Sequence, residues 1–256
     1  MNATSAGVLL LCRAAPADVR LSAPLLREPL HLAPAGDGWT VLVPEARTRT
    51  GAGEPVDRMA AGWAAALAVG ANWPVLALWW DADRAGYSLA SGFRRTVDYV
   101  WLADGTPAGE DEAMSTFASR LDLDPVLDVQ DLERLTRPAS DADAHARLKA
   151  VIAVLARTGL ALPARLTPGE PTERLGSAVR HLTGAELFAG PGLRDAVRAE
   201  AHALRQAPGP RAPAVAQIAA GLPMTVWGLA RRSAGWTAAG VVLLVHGVLG
   251  MARARS

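Results

Sequence analysis

Hydrophobic positions in the first hundred residues fall mainly into short runs and alternations. Gly7–Arg13 is one apolar run, and Trp39–Pro44 is a second, set off by the turn residues Gly36, Asp37 and Gly38. Between Pro55 and Val69 the period changes. Met59, Trp63 and Leu67 recur every four residues, and Gly70 follows as a stop, which predicts a helix. Pro74–Trp80 is apolar at every position, as a strand covered on both faces would be. Tyr87–Ser91 and Arg95–Ala103 follow, and the latter places Val97, Tyr99 and Trp101 on one face by its period of two. Turn chemistry at 81–86 and around Gly92 predicts that these last three segments form an antiparallel meander. Six of the eight tryptophans and both tyrosines lie in this region, consistent with strands.

From Thr106 onward the period is helical. Thr106 and Pro107 read as N-cap and first helical residue, with Met114, Phe117 and Leu121 as the inner stripe. Asp128 and Asp131 begin a short helix that ends before Pro138. Ser140 with Asp143 approximates a capping box ahead of Leu148, Val151, Ile152 and Leu155, which Gly159 stops. Thr167, Pro168 and Glu170 open a further helix carrying Leu175, Val179 and Leu182, closed by Gly184. Pro191–Gln206 adds another, with Leu193, Val197 and Leu204 inward. The fold class expected is α+β: an N-terminal mixed or antiparallel sheet with one helix over 1–105, and a helical domain over 106–207. A Pro/Gly linker at 208–213 and a hydrophobic helical hairpin over 214–256 complete it.

The hairpin carries the sharpest physical message in the chain. Residues 212–230 and 233–252 hold no formal charge, giving stretches of 19 and 20 residues bracketed by Arg231, Arg232, Arg253 and Arg255. An α-helix needs about 20 apolar residues to cross a hydrocarbon core. Trp227 and Trp236 flank the central arginine pair, where interfacial tryptophans belong, and Val241, Val242, Leu243, Leu244 and Val245 form an unbroken aliphatic run. Against insertion stand Gln217, Pro223, Thr225 and a deep His246. The central arginines would also lie outside if the main domain were cytoplasmic. The expectation is a membrane-associated protein with a cytoplasmic main domain; the alternatives are a buried hairpin in a soluble protein and a pair bound reversibly to the membrane surface.

Composition removes several classes. The chain has 256 residues, a net charge of +1 and 50% apolar content, which excludes disorder for most of its length and argues against a nucleic-acid partner. A single cysteine, Cys12, excludes an internal disulfide and a cysteine zinc site. Lys149 is the one lysine, and the shortage of Lys, Ile and Asn suggests a high-GC bacterial genome. Residues 1–5 have no basic character and Gly7–Cys12 is short for a signal-peptide core, so the first domain is expected in the cytoplasm.

Candidate chemistry is sparse. Asp81, Asp83 and Asp104 lie at strand ends, where carboxylates can gather around Mg²⁺, with Asp98 and the trio Glu110, Asp111 and Glu112 nearby in sequence. The same residues also suit turns and a helix N-terminus. His31, His145, His181, His202 and His246 show no metal-ligand spacing, and no nucleophile elbow, phosphate loop or dinucleotide fingerprint occurs. Arg94 and Arg95, beside Phe93, could meet a phosphate or an acidic partner or could blunt a sheet edge. The chain therefore reads as a non-enzymatic adaptor, regulator or effector with lipid and protein partners and no cofactor. The alternatives are a soluble metal-assisted hydrolase using Asp81, Asp83 and Asp104, and a soluble protein-binding module of the immunity-protein kind with Trp79, Trp80 and Trp101 as exposed anchors.

Overall fold

A computed structural model describes residues 6–26, 28–45, 55–69, 71–110, 112–139 and 142–188. The linker, the hairpin and the segment Pro191–Gln206 lie outside the described residues. Within them the α+β class holds. Strands β1 (Gly7–Cys12), β2 (Leu30–Pro34), β3 (Thr40–Pro44), β4 (Val75–Trp80), β5 (Arg84–Ala90), β6 (Val97–Leu102) and β7 (Glu186–Phe188) form one sheet in the order β6-β5-β4-β1-β3-β2-β7. Every pairing in it is antiparallel. The meander β4-β5-β6 is the one the turn signals predict.

Alternation along the central strands divides the core in two. Leu9, Leu11, Leu76, Leu78 and Trp80 face one side, and Val8, Leu10, Cys12, Val75, Ala77 and Trp79 face the other. Helices α1 (Pro16–Ser22) and α2 (Val56–Val69) cover the second face through Val19, Met59, Ala60, Ala64 and Leu67. Helices α3 (Glu112–Arg120), α4 (Leu127–Leu135), α5 (Ala144–Ala156) and α6 (Thr172–Arg180) cover the first, with Phe117, Leu132, Leu148 and Val179 in one apolar cluster with the strands. This double covering is why β4 is apolar at all six positions. Among the described residues no helix is long and apolar enough to cross a membrane.

Several local expectations change. Among the described residues of the first hundred there are two α-helices where one was expected. Pro16 opens α1 at its first position, and a 3-10 turn at Ala23–Leu26 continues it; with Val19 its single buried residue, α1 offers no apolar stripe to read. Thr106 and Pro107 do not start a helix. Asp104 accepts the Thr106 N–H (2.9 Å), the Leu102 N–H donates to the Thr106 carbonyl (2.9 Å), and the chain turns back along β6 before α3 begins at Glu112. The helix expected from Thr167 begins at Thr172 instead. Gly169 has φ +97°, which breaks any helix there, and Pro171 becomes the N-cap. The cap of α5 also shifts: Asp143, expected inside the first turn of a box opened by Ser140, is itself the N-cap and accepts the Ala146 N–H at 2.7 Å, while Ser140 lies outside the described residues.

Candidate functional site

The carboxylates of Asp81 and Asp104 are each tied to their own turn. Asp81 Oδ1 accepts the N–H groups of Asp83 and Arg84, both at 2.9 Å, which closes the β4–β5 turn. The Asp83 carbonyl receives the Ala103 N–H at 2.7 Å. Asp104 is bonded to the Thr106 backbone N–H, and that bond holds its carboxyl below the usual carboxylate range. Among the described residues no group of three His, Cys, Asp or Glu side chains is placed to hold a metal ion.

Trp79, Trp80 and Trp101 are core residues, which corrects the expectation of exposed anchors. Trp80 and Trp101 are fully buried and Trp79 is 1% exposed. Trp80 donates Nε1–H to the Glu170 carbonyl (3.2 Å), Trp101 donates to the Leu135 carbonyl (2.8 Å), and the Arg84 guanidinium lies over the Trp79 ring. The sheet is covered on both faces, so aromatic rings on either side of it are enclosed. Cys12 is buried on β1, and burial pushes its thiol far above the ordinary range, so it is not a nucleophile at neutral pH.

The histidines do not converge on a described site. His202 and His246 lie outside the described residues. His181 closes α6 and lines a shallow hollow with Arg165 and Arg174, where Arg174 is paired to Glu170 (3.3 Å). His31 sits on β2 between β3 and β7, 3% exposed, with Nε2 buried and unpaired. Burial lowers its pKa; Glu45 opposes that shift and Arg180 reinforces it. A lowered native pKa means that the unfolded chain takes up the proton first. Stability contributed by neutral His31 is therefore complete above the unfolded value of about 6.5 and is lost as pH falls through the lower native value. A His31→Leu chain should show a flatter dependence of unfolding free energy on pH below that value, in urea titrations at a series of pH values. An unchanged slope would contradict this account of His31.

One surface cleft among the described residues was not legible as a site in the sequence. β6 is an edge strand of the sheet, and its outer edge is only partly covered. Residues 106–108 lie against 100–102 through a bridge between Trp101 and Pro107 and a bond from the Ala108 N–H to the Val100 carbonyl (2.9 Å). Beyond that cover, a cleft of about 410 Å³ opens between β6 and α3. Val97, Val100, Ala108 and Ala113 give it apolar lining, Glu110 and Glu112 mark the head of α3, and Arg95 and Arg120 mark its tail. The Arg120 guanidinium donates to the Arg95 carbonyl at 2.7 Å, and its pKa is lowered by burial and by the nearby Arg94. Phe93, 89% exposed, lies in the adjoining β5–β6 turn. Comparison of the chain with family models, with curated proteins and with solved structures finds no match.

Proposed function

We propose that the protein is a non-enzymatic, membrane-associated adaptor, regulator or effector, in which the sheet-and-helix body is a cytoplasmic interaction module and residues 212–252 are the membrane-seeking part. The observation that carries this reading is the pair of uncharged stretches, 19 and 20 residues long and divided by Arg231 and Arg232. On the insertion scale each residue of the run Val241–Val245 contributes about 0.3–0.6 kcal/mol, while a central arginine costs about 2.5–3.5 kcal/mol. One arginine placed in the run should offset all of it.

The enzymatic alternative has less support. A metal-assisted hydrolase needs carboxylates free to converge on an ion, whereas Asp81 and Asp104 are engaged by backbone N–H groups of their own turns. A binding module anchored on Trp79, Trp80 and Trp101 would have to expose rings that are enclosed.

Flotation on liposomes tests the reading with the intact chain, a Val242→Arg chain and a chain ending at Gln206. The intact chain should float, the shortened chain should stay at the bottom, and the arginine variant should move toward the soluble fraction. An intact chain that stays soluble and monodisperse without detergent would transfer the assignment to the soluble alternatives.

A further inference from the structure

The edge of β6 carries an inference about the partner, and it rests on the reading of the body as an interaction module. Outward-facing main-chain groups alternate along an edge strand. The Val100 carbonyl and the Leu102 N–H both point outward, since they bond to the 106–108 segment. By the same alternation the N–H and C=O of Asp98 point outward too, and among the described residues they have no partner. Leaving such groups unpaired beside a cleft is costly once water is displaced, so an occupant of this cleft must supply matching N–H and C=O groups.

Charge adds direction. Arg95 and Arg120 stand at the N-terminal end of β6, and Glu110 and Glu112 stand by Val100 at the other. None of the four is ion-paired among the described residues. From Glu112 to Arg120 the helix rises about 12 Å, which an extended chain covers in about four residues. Residues i and i+4 of a strand share a face, so one side of a peptide can meet both poles, with residue i+2 over Val97 and Ala113.

We propose that this cleft takes an extended segment of a partner protein, added antiparallel to β6, with a basic side chain at its start, a small apolar one two residues on and an acidic one four residues on. Antiparallel addition continues the pairing found throughout the sheet. It sets the acidic residue against Arg95 and Arg120 and the basic residue against Glu110 and Glu112.

The test uses the full chain in neutral detergent micelles and two capped fluorescent peptides, Lys-Thr-Val-Thr-Glu and its reverse, followed by anisotropy. The lysine-first peptide should bind at least about tenfold more tightly than the reverse. Asp98→Pro removes one outward N–H and leaves the β5 side of the ladder in place, so it should weaken binding about tenfold or more with an unchanged circular dichroism spectrum. An Arg95→Glu, Arg120→Glu double variant should prefer a peptide with lysine at both ends. Equal affinity for the two orders, parental binding by Asp98→Pro, or no binding at millimolar peptide would each overturn the proposal. So would a dimer, seen by light scattering, that Asp98→Pro disperses, because the edge would then belong to a second copy. Flotation reads residues 212–252 and anisotropy reads the body, so failure of one assignment is distinct from failure of the other.

Discussion

Replacing Trp101 by Ala is expected to lower the unfolding free energy by about 3–5 kcal/mol, the range for removing a large aromatic side chain from a closed core. The ring is fully buried, opposite Ala85 in the ladder, with Tyr99 at 4.9 Å and Tyr87 at 6.2 Å between centroids. Its Nε1–H also satisfies the carbonyl of Leu135, the last residue of α4, at 2.8 Å. The loss therefore combines a cavity, two aromatic contacts and an orphaned carbonyl. Trp101→Phe separates these parts. It keeps most of the apolar surface and leaves Leu135 unpaired, which should cost about 1–3 kcal/mol. Urea unfolding followed by circular dichroism measures both. A loss below about 1 kcal/mol for the alanine variant would mean that the β6–α4 junction is not closed as described.

Elements with an internal signal were readable from the sequence, and those defined by a partner were not. β4 reads as central because all six of its residues are apolar, and α2 reads as a helix because Met59, Trp63 and Leu67 share a face. β2 escapes because His31 and Pro34 interrupt its pattern; it is a strand because β3 pairs with it on one side and β7 on the other. β7, three residues long and mostly exposed, has no pattern of its own and is defined by that pairing and by the ion pair of Glu186 with Arg20 at 2.5 Å. The tryptophans show the converse. The positions of Trp79, Trp80 and Trp101 on strands were legible. The burial of Trp80 and Trp101, however, depends on helices arriving from residues 112–180 and that of Trp79 on the face covered by α1 and α2, so a solvent-facing sheet and a covered one look alike in sequence.

The same reasoning applies to polar groups. Asp81 and Asp104 could be read either as turn acceptors or as ligands, because carboxylates after strands serve both roles, and only the positions of nearby N–H groups separate them. Arg94 and Arg95 were visible as a basic pair on a hairpin. What gives Arg95 a context is Arg120, twenty-five residues on, brought beside it by the packing of α3 against β6. The cleft joins 95–100, 108–110 and 112–120 only after the chain doubles back at Gly105, so no local motif announces it.

That doubling back depends on one glycine. Gly105 has φ +80°, its N–H donates to the Leu102 carbonyl at 2.7 Å, and a Cβ built there would overlap the Ala142 carbonyl oxygen. Gly105→Ala therefore meets two penalties: about 1–2 kcal/mol for a left-handed backbone and about 1–3 kcal/mol for forcing the approach to α5 apart. The expected loss is about 2–5 kcal/mol. Gly38 supplies the control, because it has φ +66° with nothing within 4 Å of a built Cβ. Gly38→Ala should carry the first penalty alone, and the difference between the two variants measures the steric part. Gly105 also sets how far residues 106–108 cover the edge of β6, since the bonds to Val100 and Leu102 begin just beyond it. Displacing that segment should weaken peptide binding in the Gly105→Ala chain and leave it intact in Gly38→Ala. Equal stability losses in the two variants, read by urea unfolding, would show that Ala142 yields without cost, and the turn would then not be what holds the cleft open at 96–98.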